Sequence, residues 1–194
     1  MLEAGSLLRG WRTESADWPR RGRFGKNALV RREPEAVRER REHWILEAVS
    51  SGREGMRRNG GGPFGAIVVR GDEIVARGWN QVTQALDPTA HAEVSAIRAA
   101  CAALQRFELR GCELYTSCEP CPMCLAAIYW ARIDRVFYGC SREDAAAAGF
   151  DDQFIYDQIG LGLSERALPM TQLGCEAAHE MFRDWMAKPD KILY

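Results

Sequence analysis

Long apolar runs are missing from the sequence, and histidine is scarce. No stretch approaches the roughly 18 apolar residues that span a membrane, and the N-terminus lacks the hydrophobic block of a secretion signal. The chain has 3 His in 194 residues and no His-x-x-x-His pair that would help to close a structural zinc site. These absences argue against a membrane partner and favour a cytoplasmic protein, whose thiols stay reduced.

Net charge is also small, at −1, but it is unevenly distributed. Residues 1–42 carry 11 Lys and Arg against 7 Asp and Glu, whereas residues 43–194 carry 15 against 20. An acidic body matches a polyanion poorly, which argues against a nucleic-acid partner on electrostatic grounds and favours a small, uncharged substrate.

The length fits one domain preceded by an extension. Residues 1–33 show no sustained helical or strand period, so we expect a basic, flexible extension there and a functional domain over residues 34–194. The alternative for the extension is a basic arm that binds nucleic acid, and composition does not separate the two.

Two short segments hold the residues with metal-binding chemistry. His91 and Glu93 lie in Pro-Thr-Ala-His-Ala-Glu, and Cys121 and Cys124 lie in Pro-Cys-Pro-Met-Cys. One imidazole and two thiolates suit Zn²⁺ and leave the fourth tetrahedral position open, as catalytic sites do. Zinc lowers the pKa of its bound water to about 7, which makes hydroxide available. Glu93, beside a ligand, is the candidate proton carrier.

The spacing of these residues has a physical reason. Cys121 and Cys124 are three residues apart, which places two side chains on one face of a helix. A helix that begins near Pro120 to Pro122 would put both sulfurs at the positive end of its dipole, where thiolate is favoured. His91 and Glu93, two residues apart, do not share a face of a regular helix, so we expect them at a helix start.

A lone Cys-x-x-Cys pair is not specific to one kind of site. It also occurs in redox pairs and in half of a structural zinc site, and a zinc-stabilised binding module without catalysis would keep the same ligands. His-x-Glu followed by Pro-Cys-x-x-Cys, however, is the known signature of zinc deaminases. The presence of Glu93 favours an enzyme over a binding module.

Helical and strand periods alternate along the chain, which predicts an α/β fold. Helices are predicted over residues 34–58, 91–104, 125–131, 144–148 and 175–186, and strands over residues 66–70, 73–80, 112–117, 135–139 and 167–173. The strand at 135–139 should run parallel to the strand at 112–117, because a helix intervenes.

Beyond the metal motifs, residues 43–194 resemble bacterial guanine deaminases of the cytidine-deaminase-like superfamily. The matching segments are residues 61–66, 87–93, 114–124, 127–132, 148–152 and 154–156, together with Tyr194. The metal motifs are common to the superfamily, whereas Gly-Phe-Asp-Asp at 149–152 and the final tyrosine point to guanine.

The resemblance implies a three-layer α/β/α fold around a mixed five-stranded sheet. It places zinc on the His-Cys-Cys ligands, and it matches Asn80 and Asp152 to purine-binding positions. Phe64 and Trp130 match positions that line the pocket, and Tyr194 would close it as part of a C-terminal lid. The family exchanges this C-terminal segment between two subunits, which implies a homodimer.

The resulting hypothesis is hydrolytic deamination of guanine to xanthine and ammonia by a zinc-bound hydroxide, with Glu93 as the proton shuttle. A deaminase of guanosine or another purine, or a tRNA adenosine deaminase, would have the same core. Two of the candidate residues could instead be purely structural, since Asn80 can end a strand in a turn and Asp152 can be solvated or cap a helix.

Overall fold

The computed structural model describes residues 33–150 and 152–193. Residues 33–170 form one unit, and residues 171–193 belong to a second unit. The predicted extension therefore lies outside the described residues except for Glu33, as do Asp151 and Tyr194. The division into an extension and a functional domain stays a prediction.

A mixed sheet of four strands lies at the centre of the first unit. The strands are β1 (Gly65–Arg70), β2 (Glu73–Trp79), β3 (Glu113–Cys118) and β4 (Arg135–Cys140), in the order β2-β1-β3-β4. β1 runs antiparallel to β2 and to β3, whereas β3 and β4 are parallel. The parallel pair confirms the prediction made from the helix between these two strands.

The helices of the described residues lie before, between and after these strands in the chain. They are α1 (Glu35–Arg57), α2 (Val82–Ala85), α3 (Ala92–Leu104), α4 (Pro122–Trp130), α5 (Arg142–Ala147), α6 (Gln153–Gly160) and, in the second unit, α7 (Glu176–Ala187). A short 3-10 turn occupies Leu163–Glu165. Within the described ranges, no helix has both the length and the apolar character that a membrane span needs.

Successive residues of β1 point to opposite faces of the sheet and bury against different helices. On the α1 face the core cluster contains Trp44, Ala48, Ile67, Val69 and Tyr115. On the face covered by α3 and α4 it contains Ala66, Val68, Ala92, Ala96, Ile97, Ala100, Leu114 and Ile128, among others. Helices on both faces of one sheet make the three-layer α/β/α architecture that was expected.

Two glycines let the helices approach the sheet closely. A Cβ on Gly78 would lie 2.4 Å from the Ala92 carbonyl oxygen, and one on Gly65 would lie 2.1 Å from the Ala48 carbonyl oxygen. A side chain at either position would push a helix away from the sheet. Gly78 matters most for function, because it lets α3 pack closely on the sheet and α3 begins at the metal-binding motif.

The predicted fifth strand is wrong. Residues 167–173 contain no strand, and the described part of the chain has a four-stranded sheet in place of the five-stranded one. Pro169 interrupts this segment and has no N–H to donate to a neighbouring strand. The side chains of the segment are exposed, so it lacks the buried face that stabilises a strand.

Candidate metal and purine site

Two helix N-termini meet where the predicted metal ligands lie. His91 is the residue before the first turn of α3, with extended backbone (φ −68°, ψ 159°), and Cys121 holds the same position before α4 (φ −63°, ψ 168°). Pro122 occupies the first turn of α4, where its missing N–H costs nothing. The start of each helix is therefore irregular enough to turn both ligands towards one point, as the spacing predicts.

The geometry of His91, Cys121 and Cys124 fits a zinc ion. The Sγ atoms of both cysteines lie 3.6 Å from His91 Nδ1, and the three donor atoms are all within 4.8 Å of one another. Tetrahedral zinc with bonds of about 2.3 Å to sulfur and about 2.0 to 2.1 Å to nitrogen separates such atoms by about 3.6 Å. The donor set is also the one that zinc prefers.

Cys118, the last residue of β3, offers a further thiol nearby in the chain but does not join the cluster. Its Sγ donates to the Ser141 carbonyl oxygen at 3.4 Å, and burial raises the pKa of this thiol to about 11. Among the described residues, the group that can hold a metal ion consists of one histidine and two cysteines. Three protein ligands are typical of a catalytic zinc site.

Glu93 lies beside the ligands and is buried, with 6 % of its surface exposed. Its Oε1 accepts a hydrogen bond from Thr116 Oγ1 at 3.0 Å, and its Oε2 accepts one from Cys124 Sγ at 3.4 Å. Burial raises the pKa of the Glu93 carboxyl above its ordinary value. A carboxyl whose pKa is moved towards neutrality can both take up and release a proton, as a general acid and base must.

The two cysteines titrate very differently in the protein chain by itself. A hydrogen bond from the Cys124 thiol, assisted by His91, lowers the pKa of Cys121 to about 4. Donating that hydrogen bond, together with burial, raises the pKa of Cys124. Cys121 is thus a thiolate at neutral pH, and zinc binding would release the proton of Cys124.

A cavity of about 380 Å³ opens beside the metal ligands. Of the residues predicted to bind the purine, Phe64, Asn80 and Asp152 line it, together with His91 and Glu93. Sites for small molecules are concave and mostly apolar, with a few convergent polar groups. The cavity has this character.

The side chain of Asn80 is held by the backbone around it. Its Oδ1 accepts hydrogen bonds from Gly62 N at 3.3 Å and Val82 N at 3.2 Å. The remaining hydrogen-bonding group of the amide is its NH₂, which can only donate. Asn80 does follow a strand, as a purely structural role would require, but it is also buried at the cavity.

Asp152 precedes α6 and makes no capping hydrogen bond to it through its side chain. Burial, followed by the charge of Cys121, raises the pKa of this carboxyl. Asp152 therefore occupies the cap position of α6 without using its side chain as a cap, and it lines the cavity.

Trp130 does not join these residues in the described part of the chain. Trp130 is the last residue of α4, is 58 % exposed, and lies outside the set of described residues that line the cavity. Tyr194 lies outside the described residues. Their roles in the pocket stay predictions.

Several residues at the cavity were not singled out from the sequence. Phe150 packs edge-on against Phe64 with ring centroids 4.8 Å apart. Glu119 Oε2 accepts from the Arg142 backbone N–H at 3.3 Å, and the Arg142 guanidinium lies 5.0 Å from the centre of the Tyr156 ring. Glu119 sits directly before the Pro-Cys motif, which is a usable signal, whereas local sequence gives no sign of the Tyr156 contact.

Comparisons with known proteins agree with this geometry. The family model described as the cytidine and deoxycytidylate deaminase zinc-binding region matches residues 38–140. The guanine deaminase of Bacillus subtilis (strain 168) is 51 % identical over 153 residues, which cover 79 % of this chain and 98 % of the relative. A crystal structure of guanine deaminase from Bacillus subtilis superimposes with a TM-score of 0.77 at 49 % identity, and covers 79 % of this chain and 98 % of the solved one.

Other relatives match a smaller part of the chain. The tRNA-specific adenosine deaminase of Agrobacterium fabrum (strain C58 / ATCC 33970) is 48 % identical over 77 residues, which cover 40 % of this chain and 51 % of the relative. The family match covers residues 38–140, which contain the ligand cluster suited to zinc and the buried Glu93.

This chain therefore belongs to the family of cytidine and deoxycytidylate deaminases that share the zinc-binding region.

Proposed function

We propose that this protein hydrolyses guanine to xanthine and ammonia. The observation that carries the proposal is one cavity beside the His-Cys-Cys cluster, lined by His91, Cys121, the buried Glu93 and Asp152. The guanine deaminase relative, aligned over 98 % of its length, supports guanine as the substrate. The tRNA adenosine deaminase relative matches over a much smaller part of the chain and supports only the common core.

A zinc ion held by His91, Cys121 and Cys124 would supply a water molecule with a pKa near 7. Glu93 would accept a proton from this water and deliver it to the ring nitrogen beside the carbon that bears the amine, while the water oxygen bonds to that carbon. Glu93 would then take the proton of the new hydroxyl group and pass it to the amine, whose bond to carbon breaks as ammonia leaves. Guanine and water are consumed, xanthine and ammonia are formed, and Glu93 ends in its starting state.

Hydrogen bonding by Asp152 and Asn80 accounts for the choice of base. An ionised carboxylate only accepts, so Asp152 pairs with N–H groups of guanine, which adenine and cytosine do not present in the same place. The NH₂ of Asn80 donates to an acceptor atom of the purine. Phe64, supported by Phe150, offers an aromatic surface to the flat ring.

The charge of the cavity favours a free base over a nucleotide. Three of its lining residues are acidic, namely Glu93, Glu119 and Asp152, against the single guanidinium of Arg142 among the described lining residues. A phosphate group would be repelled by this excess of carboxyl groups. Guanosine is uncharged and remains the alternative substrate. Whether its ribose fits depends on the size of the pocket.

We also propose a homodimer in which the C-terminal segment is exchanged. The described part of the second unit exposes Met181, Phe182, Trp185 and Met186 along one face of α7, at helical spacing. In the first unit, Trp130, Phe154 and Ile159 are more than half exposed. Exposed apolar faces of this kind mark interaction surfaces, and a second copy of the chain is the proposed partner.

The cytoplasmic location predicted from the sequence is part of the same proposal. All seven cysteines of the chain lie in the described residues, and every one is a free thiol. Free thiols in this number suit a reducing compartment.

A substrate panel tests the proposed function. Ammonia release is measured with guanine, guanosine, cytosine and tRNA, next to zinc content by atomic emission. We expect activity on guanine alone, one zinc per chain, loss of activity on chelation and recovery with added Zn²⁺. Glu93→Gln should retain zinc and lose turnover. Metal-free protein, activity in Glu93→Gln or preference for tRNA would each contradict the proposal.

A further inference from the structure

Helix α6 is anchored to the loop that carries the second metal motif. The Tyr156 hydroxyl donates a 3.0 Å hydrogen bond to the Pro120 carbonyl oxygen, across 36 positions of the chain. Pro120 is buried and immediately precedes the metal ligand Cys121. One hydrogen bond thus connects α6 to the metal loop.

Tyr156 and Asp152 lie on the same face at the start of α6. The Tyr156 N–H donates to the Asp152 carbonyl oxygen at 3.2 Å, which makes the two residues neighbours one helical turn apart. The position of Asp152 relative to Cys121 is therefore set through a short path: one helical turn, the Tyr156 hydroxyl and the Pro120 peptide group.

A second contact orients the ring of Tyr156. The Arg142 guanidinium lies 5.0 Å from the ring centre, while the Arg142 backbone N–H is bonded to Glu119 in the metal loop. Stacking on a guanidinium restricts the ring and keeps its hydroxyl aimed at Pro120. On the other side of Asp152, Phe150 packs against Phe64. Contacts therefore hold the chain both before and after Asp152.

We infer that Tyr156 is a positioning residue for substrate recognition, because its hydroxyl fixes the Asp152 carboxylate at the distance from the metal ligands that a purine requires. This inference rests on the proposed function, in which Asp152 accepts N–H groups of guanine. Tyr156 itself does not line the cavity among the described residues, so it acts through Asp152.

Tyr156→Phe removes the hydroxyl and leaves the ring on Arg142. We expect KM for guanine to rise about three- to tenfold, the factor that one neutral hydrogen bond contributes, with kcat changed less than about twofold and zinc content unchanged. The Kd of guanine, measured in the inactive Glu93→Gln background, should rise by the same factor. Tyr138→Phe, which removes an exposed hydroxyl on β4, is the matched control and should leave both constants unchanged.

A double-mutant cycle separates action through Asp152 from a direct or general effect. If Tyr156 works by placing this carboxylate, Tyr156→Phe adds nothing to the rise in Kd already caused by Asp152→Asn. Any of three results would overturn the inference. These are effects of the two substitutions on Kd that multiply, an unchanged KM in Tyr156→Phe, and loss of zinc from that variant. A wild-type protein that neither binds nor deaminates guanine would overturn the proposed function as well, whereas an active wild type with unaffected Tyr156→Phe overturns the inference alone.

Discussion

Thr116 Oγ1 donates a 3.0 Å hydrogen bond to Glu93 Oε1, and the Thr116 side chain is completely buried. The bond joins β3, one of the two interior strands of the sheet, to the first turn of α3 and holds one carboxyl oxygen in place. The other oxygen, Oε2, is directed to Cys124 and hence to the metal ligands. Proton transfer requires an oxygen at a fixed position, so this contact sets the geometry of the proposed proton carrier.

Thr116→Val keeps the shape of the side chain and removes this donor. A buried hydrogen bond to a charged group contributes about 1.5 to 3 kcal/mol, so we expect kcat to fall by about tenfold or more. The bond opposes the effect of burial on the Glu93 pKa, so its loss should also move the acid limb of kcat to higher pH. Thr116→Ser retains the hydroxyl and should recover most of the activity. Equal kcat in the Val and Ser variants would show that the bond is not used.

Gly61→Ala tests the position of Asn80. A Cβ at Gly61 would lie 2.1 Å from Asn80 Oδ1, so the amide must move and lose its bonds to the backbone. We expect a higher KM for guanine and a lower Tm, with zinc retained. Gly160→Ala is the control, because a Cβ there meets nothing within 4 Å. A wild-type KM in the Gly61→Ala enzyme would remove Asn80 from substrate recognition.

The pH dependence of KM should report the Asp152 carboxyl. Burial, and after it the charge of Cys121, raises the pKa of this group. A carboxyl with a raised pKa becomes protonated at higher pH than an ordinary aspartate, and it then loses its ability to accept from two N–H groups. KM for guanine should therefore rise as the pH falls through this pKa. In Asp152→Asn the KM should be high and independent of pH in the same window.

Local sequence was sufficient for the metal ligands and most of the secondary structure. His91, Cys121 and Cys124 are recognisable because short motifs at helix starts fix their directions. The sequence also located α1, α3, α4, α5, α7 and four strands, whereas α2 and α6 were not predicted. The fifth predicted strand failed at Pro169, where an apolar pattern lacks both the N–H and the buried neighbour that a strand needs.

Contacts between distant segments could not be predicted in this way. Thr116 reaches Glu93 only because the pairing of β3 with β1 and the packing of α3 bring them together. The bond from Tyr156 to Pro120 likewise depends on how α6 returns to the metal loop. Neither residue type predicts its hydrogen-bond partner, because threonine is common in strands and tyrosine is common on helices.

The proposed exchange of C-terminal segments predicts complementation between two inactive variants. If Tyr194 closes the partner's pocket, Glu93→Gln disables the pocket of its own chain, whereas Tyr194→Ala disables the pocket of the partner chain. In a mixed dimer, one pocket would combine Glu93 of the second chain with Tyr194 of the first. Mixing the two after mild denaturation and refolding should restore ammonia release from guanine, up to about one quarter of the wild-type rate for random pairing of equal amounts.

Two controls make that experiment decisive. Light scattering should give a dimer for the wild type and for both variants, because neither substitution removes the apolar face of α7 formed by Met181, Phe182, Trp185 and Met186. Mixing Glu93→Gln with His91→Ala should restore no ammonia release, because both substitutions lie in the first unit of the chain. Dimers that form normally but show no recovery would mean that Tyr194 serves its own subunit or no pocket at all.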